Sequence, residues 1–167
     1  LAFLNKDLSA SRLLSDITPK MLEKDMKKVG ARLYAAETET TNFQYERFLQ
    51  DLLKNKDFDQ LEKCKTTLTN WRALLPDSLK NLPDAVLFPH GHPDLPGMPV
   101  QNISHEAAEH YCAWMTTVYN TSTERKKFKK VLFRLPTEPE WIQAACGGLN
   151  EIIYPWGGYF IRNAKGC

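Results

Sequence analysis

The chain has 167 residues, of which 43% are hydrophobic and 11% aromatic, which is enough for one packed domain but hardly for two. Lysine plus arginine exceed aspartate plus glutamate by 22 to 20, and this small excess does not indicate a nucleic-acid or anionic-membrane partner. The sequence contains neither an apolar run of membrane-spanning length nor a signal-peptide pattern. Its four cysteines form no CxxC pair, which excludes a zinc ribbon or a thioredoxin-type motif.

The first 29 residues have a weak helical pattern. Apolar residues recur at roughly helical spacing from Leu13 to Met26, although Pro19 interrupts them. We therefore interpret this part as an appended helical segment. The "ARLYAAE" stretch that follows predicts a short strand.

Two helices are predicted next. Thr41 and Gln44 have the spacing of a capping box, and the following helix places five apolar residues on one face: Tyr45, Phe48, Leu49, Leu52 and Leu53. A second helical pattern ends at Pro76 and contains Leu61, Cys64, Leu68, Trp71 and Leu75. The proline-rich segment 82–100 predicts a long loop.

A third helix is predicted after Ser104, the expected N-cap, with a buried stripe formed by Ala108, Tyr111, Cys112, Met115 and Tyr119. The basic run "RKKFKK" is typical of a solvated link. The apolar "VLF" at residues 131–133 predicts a short strand.

The stretch "FRLPTEPEW", residues 133–141, predicts a rigid corner that begins a fourth helix, with Arg134, Thr137, Glu140 and Trp141 as its structural residues. Pro136 ends the strand, and Thr137 with Glu140 forms a second capping box. Trp141 then falls in the first helical turn, where we expect it to face the core. Gly147 and Gly148 suit the end of this helix, where a left-handed residue is needed.

Four stretches in order, "ETETTNFQYERFL", "MPVQNISHEAAEHYCAW", "FRLPTEPEWIQAACGG" and "YPWGG", resemble the formylglycine-generating enzyme family, also called the sulfatase-modifying-factor domain. The resemblance covers residues 31–167 and only the front portion of the family domain. It implies an irregular α+β fold related to C-type lectins. The expected organisation is an N-terminal helical extension, 1–30, followed by a domain that is incomplete at its C-terminal end, 31–167.

The resemblance also bears on the site residues. The family's catalytic cysteine pair and copper site have no counterpart before Cys167, so it implies no catalytic residue and no enzyme activity. Cys112 and Cys146 fall where some members have disulfide cysteines; the alternative is two buried free thiols. Asn163, soon after the turn that contains Trp156, matches a structural calcium ligand of the family; the alternative is a solvated turn asparagine.

Within the family, "YPWGGYFIRNAKGC" resembles lipoproteins of bacterial gliding motility and type IX secretion. This implies a non-catalytic structural component at the periplasmic face of the outer membrane, with other protein subunits as partners, no nucleic acid, and a lipid anchor outside this chain. Two alternatives stay open. One is a copper-dependent oxidase that converts a client cysteine to formylglycine, if the chain continues beyond Cys167. The other is a lectin-like module that binds a small ligand or glycan at the aromatic turn "YPWGG". Trp114, Trp141 and Trp156 could also form a platform on which a ligand stacks, but their positions fit core packing better.

Two histidine-containing stretches were considered as metal sites. In "HEAAEH", His105 and His110 are five residues apart and lie on different sides of a helix, so they do not form the HExxH zinc motif. In "HGHPD", the side chains of His90, His92 and Asp94 are suitable metal ligands, but we expect them to be exposed loop residues.

Overall fold

The computed structural model describes residues 17–66, 75–83 and 96–147, together with Tyr154. These residues form five helices and one two-stranded antiparallel sheet. In chain order the elements are α1 (Pro19–Asp25), β1 (Met26–Lys28), β2 (Tyr34–Ala36), α2 (Asn42–Lys54), α3 (Phe58–Cys64), α4 (His105–Thr121) and α5 (Glu138–Ala145). The mixed α+β class agrees with the prediction. The relation to C-type lectins stays a prediction.

The described part of the predicted N-terminal helical segment, residues 17–29, contains one short helix. Thr18 caps α1 and Pro19 lies in its first turn, where the missing proline N–H costs no hydrogen bond. The proline therefore begins the helix. Residues 26–28 are also not helical, because they pair with the predicted strand around Tyr34 as an antiparallel hairpin. The expected boundary at residue 30 lies inside this hairpin.

Helix α2 supplies three buried residues to the core of the described chain. Thr41 and Gln44 form the predicted capping box: the N–H of Thr41 donates to Oε1 of Gln44 at 2.9 Å, and the N–H of Gln44 donates to Oγ1 of Thr41 at 3.3 Å. Tyr45, Phe48 and Leu52 are buried. The predicted apolar face is confirmed.

Helix α4 packs against α2 and α3. Its buried residues are Ala107, Tyr111, Met115 and Tyr119. Ala107 thus takes the place predicted for Ala108, and Cys112 is only half-buried. The predicted stripe is correct in period but one residue off at its first position. The helix predicted to run from Leu61 to Leu75 is not continuous: α3 ends at Cys64, where Lys65 has an extended backbone, and Leu75 is not helical. Leu68 and Trp71 lie outside the described residues.

The core centres on a cluster of aromatic rings. The fully buried ring of Phe48 lies 5.5 Å from Tyr45, 5.7 Å from Tyr111 and 5.5 Å from Trp114, measured between ring centroids. The Tyr45 hydroxyl donates to the carbonyl of Cys64 at 2.7 Å. This bond satisfies a buried polar group and joins α2 to the end of α3.

Residues 131–133 do not form the predicted strand. Their backbone groups bond to side chains of α4 instead of to a neighbouring strand. The Asn120 amide donates to the carbonyl of Val131 at 2.8 Å and accepts from its N–H at 3.0 Å. The N–H of Phe133 donates to Oγ1 of Thr116 at 2.9 Å. The segment is therefore anchored without belonging to a sheet.

None of the helices in the described ranges has the length and apolar character of a membrane-spanning segment.

Candidate functional site

The corner at residues 133–141 is held by an ion pair. The Arg134 guanidinium donates to both carboxylate oxygens of Glu140, one bond being 2.7 Å long. The same carboxylate accepts from the N–H and the hydroxyl of Thr137, at 2.9 and 3.0 Å. The hydrogen bonds from Arg134, which have the largest effect, and those from Thr137 lower the pKa of Glu140 to about 2. The capping box is confirmed, and Arg134 is the residue that reinforces it.

Trp141 does not face the core as predicted. Its side chain is 63% exposed, and α5 has no buried residue. The reason is the orientation of α5: the Gln143 amide donates to the carbonyl of Val29 at 2.9 Å, which turns that face toward the hairpin. Trp141 precedes Gln143 by two residues, which corresponds to a rotation of about 200° around the helix axis. Its side chain therefore points away from the hairpin. Gly147 does adopt the left-handed conformation predicted for the helix end.

Three cysteines lie in the described residues, each on a different element, and all three are free thiols. Cys64 is fully buried at the end of α3, and burial raises the pKa of its thiol. Burial also raises the pKa of the Cys112 thiol on α4. A raised pKa lowers the thiolate fraction, so these two groups are poor nucleophiles near neutral pH. Cys146 ends α5.

Histidine and carboxylate side chains do not converge on a metal site in the described ranges. His105 lies 3.7 Å from Glu109, and His110 lies 3.6 Å from Glu106, each pair one helical turn apart. Across the described ranges, no group of three potential metal-ligating side chains occurs. His90, His92, Asp94, Trp156, Asn163 and Cys167 lie outside the described residues.

Glu23, which the sequence did not single out, connects three segments of the fold. One of its carboxylate oxygens accepts from the Tyr119 hydroxyl at 2.6 Å and from the N–H groups of Lys126 and Lys127, both at 2.8 Å. The Tyr119 bond and the two backbone bonds lower the pKa of Glu23. Burial and this carboxylate raise the pKa of Tyr119 to about 12. The segment 19–28 is thereby attached to α4 and to the basic run.

An open cleft of about 320 Å³ runs along α2 and α4. Its described lining consists of Ile17, Arg47, Gln50, Asp51, Lys54, Trp114 and Val118. The indole N–H of Trp114 donates to Asp51 at 2.9 Å, while its ring packs against Phe48 and Tyr111. Trp114 therefore serves the core and presents only part of its ring to the cleft. Trp114 is half-buried against the core, whereas Trp141 is mostly exposed.

These features define an α+β domain in which capped helices and irregular segments are joined by side-chain bonds. The sulfatase-modifying factor enzyme 1-like domain family matches residues 23–166, and the chain belongs to this family. The match begins within α1, so it includes the hairpin and Glu23.

The chain is similar over shorter stretches to curated proteins. It is 43% identical over 65 residues to the inactive C-alpha-formylglycine-generating enzyme 2 of Bos taurus, and 39% identical over 66 residues to that of Mus musculus. It is 38% identical over 64 residues to a formylglycine-generating enzyme of Thermomonospora curvata. These stretches are 38–40% of this chain and 16% of each relative. No solved structure matches the chain.

Proposed function

We propose that this protein is a non-catalytic member of the family that acts as a structural subunit of a bacterial cell-envelope assembly, of the gliding-motility and type IX secretion kind. Its partners are other protein subunits. It lies at the periplasmic face of the outer membrane, held by a lipid anchor outside this chain. The membership in the family is established; the assembly and its location rest on the resemblance of "YPWGGYFIRNAKGC".

The supporting observation is that, in the described part of the chain, the acidic side chains with shifted pKa values bond to other segments of the fold. Glu140 and Glu23 have lowered pKa values, and in each case the cause is bonding that joins segments of the fold. Active sites shift pKa values for chemistry, whereas here the same shifts accompany structural attachment. Two of the three relatives named above are inactive by name, which also supports a non-catalytic role.

The second candidate is a copper-dependent oxidase that converts a client cysteine to formylglycine. The relative from Thermomonospora curvata, named as a formylglycine-generating enzyme, favours it. Copper prefers thiolate and imidazole ligands, and the described residues contain no such set. This function therefore requires copper ligands outside the described residues.

The third candidate is a lectin-like ligand-binding module. The cleft beside Trp114 favours it, since an aromatic edge next to Arg47, Asp51 and Lys54 offers both apolar and polar contacts. Titration of the protein against a glycan panel tests this function. Binding that survives Trp114→Phe would place the ligand elsewhere.

A structural calcium ion bound through Asn163 belongs to the first proposal. Calcium takes oxygen ligands such as asparagine and backbone carbonyls. Its removal by a chelator is expected to lower the melting temperature, and Asn163→Ala is expected to abolish that response. A chelator response that persists in the variant would contradict a role for Asn163.

The assembly is tested in the natural host with the full protein that contains residues 1–167, carrying a small tag at its chromosomal locus. We expect the protein in the outer-membrane fraction, migrating on native gels as a complex much larger than one chain. Extraction of a monomeric cytoplasmic protein would contradict the proposal.

A further inference from the structure

The segment 125–130, here called the lysine segment, concentrates positive charge on a chain that is nearly neutral. Five of its six residues, Arg125, Lys126, Lys127, Lys129 and Lys130, are cationic, and all five are exposed. In the described part of the chain, none of the four lysines forms an ion pair with a carboxylate. The Glu23 carboxylate attracts Lys127, but five cations within six residues still repel one another. An ordered conformation of this segment therefore depends on contacts with the rest of the fold.

The lysine segment is fixed at both ends, unlike the solvated link expected from its composition. Glu23 accepts from the N–H groups of Lys126 and Lys127. The ring of Phe128 packs edge-on against Tyr34 with centroids 4.8 Å apart. Asn120 bonds both backbone groups of Val131, the next residue. Because the backbone is already ordered, a ligand of this segment pays little additional conformational entropy.

The hairpin extends the same surface. Lys28 pairs directly with Tyr34 across the two strands, so the two side chains lie side by side on one face of the hairpin. The ammonium of Lys127 lies 5.2 Å from the centroids of both Tyr34 and Phe128. Two parts of the chain that are about a hundred residues apart therefore contribute lysines around one aromatic pair.

The aromatic pair does not favour nucleic acid. Single-stranded nucleic acids bind by stacking bases on free aromatic faces, but here Lys127 lies over both rings, and the rings contact each other. The cations are also mostly lysines, which act as point charges, where arginine would give bidentate recognition of phosphate. This surface is therefore suited to bind a ligand through its positive charge and not through stacking on the rings.

One apolar side chain lies beside the lysine segment. Val131 and Phe133 pack against the core, and in an extended backbone the residue between them points the other way. Leu132 is accordingly 73% exposed. A single leucine contributes too little apolar area for stable insertion into a bilayer, but it suffices as an anchor for a pocket or side chain of another protein.

We propose that the lysine segment, with Lys28 and Leu132, is the docking surface for an acidic segment of a protein partner. The partner provides several glutamates or aspartates next to an apolar residue. The identity of this partner as an assembly subunit rests on the proposed function, but the surface and its charge preference do not.

The test uses the complete chain and a fluorescent peptide made of repeated Glu-Glu-Leu-Glu-Glu units, followed by fluorescence polarisation at about 0.15 M salt. We expect K129E/K130E to weaken binding about tenfold or more, through lost attraction and new repulsion. The control K63E/K65E changes the net charge equally at two exposed lysines at the end of α3. Lys63 pairs there with Glu106 at the start of α4, the end of that helix away from the lysine segment, so the control is expected to leave binding within about twofold. K129Q/K130Q, which introduces no repulsion, is expected to give an intermediate loss.

Several results would overturn the proposal. These are no binding of the acidic peptide, equal weakening by the two charge-reversal variants, or tighter binding of oligothymidine or of phosphatidylglycerol vesicles than of the peptide. L132S is expected to weaken the leucine-containing peptide but not an all-glutamate peptide; equal effects would exclude Leu132. Aldehyde formation on a client cysteine would refute the non-catalytic role without affecting peptide binding, so the two failures are distinguishable.

Discussion

Replacing Phe48 by alanine tests whether the aromatic cluster is the centre of the core. The Phe48 ring has no exposed surface and lies between Tyr45, Tyr111 and Trp114, with centroid distances of 5.5, 5.7 and 5.5 Å. These neighbours belong to two helices and are too large and rigid to fill the space left by the ring. Truncation of such a phenylalanine costs about 3–5 kcal/mol in the free energy of unfolding, from lost transfer energy and the cavity.

The measurement is urea unfolding followed by circular dichroism, together with the melting temperature. For a chain of this length the loss corresponds to a fall of roughly 6–20 °C. Phe58→Ala is the matched control, since Phe58 is 55% exposed at the start of α3, and we expect it to cost less than about 1 kcal/mol. Equal losses for the two variants would refute this description of the core.

Three further predictions concern the side chains of Glu140, Asn120 and Cys64. Because the folded pKa of Glu140 is depressed to about 2, its stabilising contribution is present above its unfolded pKa near 4.5 and is lost as pH falls toward 2; the stability difference between wild type and E140Q should shrink over that range, and a constant difference would contradict it. Asn120→Ala should cost about 1–3 kcal/mol in urea unfolding, because it leaves both backbone groups of Val131 unpaired. Thr117→Ala, whose hydroxyl bonds only within its own helix, should stay within about 0.5 kcal/mol, and equal losses would refute the role of Asn120. Cys64 should resist iodoacetamide in the native protein and react on unfolding, as followed by peptide mass spectrometry; rapid native labelling would contradict its burial.

Local signals in the sequence predicted much of the fold. The capping boxes at Thr41 and Thr137 and the left-handed Gly147 were predicted because their bonds or dihedral angles involve residues only a few positions apart. The apolar face of α2 was predicted because its period is that of a helix. The role of Pro19 could not be predicted in this way. The sequence suggests that Pro19 interrupts a helix, whereas in the structure it begins one, and proline is compatible with a helix start.

The remainder depends on contacts between distant residues. Glu23 bonds to groups about a hundred residues away, and no local pattern distinguishes it from other exposed glutamates. The "VLF" segment has the composition of a strand, but its hydrogen-bond partner is the amide of Asn120 and not a second strand. Trp141 was expected inside because it is aromatic, whereas the bond from Gln143 to the hairpin sets the rotation of α5.

Of the features described for the candidate site, the sequence predicted only the corner at residues 133–141. The pairing of Thr137 with Glu140 is readable from spacing, and Arg134 belongs to the same predicted motif. Its ion pair with Glu140 and the conformation of the lysine segment are seen only in the folded chain. The segment 125–130 was interpreted as a solvated link because composition does not show whether a basic run is held in one conformation. The bonds from Glu23 supply that information.

The central proposal is that this member of the family does not oxidise a client cysteine to formylglycine. The most direct measurement incubates the full protein that contains residues 1–167 with copper, oxygen and a cysteine-containing client peptide, and detects aldehyde by capture with an aminooxy probe. The formylglycine-generating enzyme of Thermomonospora curvata, run in parallel, serves as the positive control. We predict no aldehyde above the protein-free background. Copper-dependent aldehyde formation that rises with the concentration of the protein would contradict the claim.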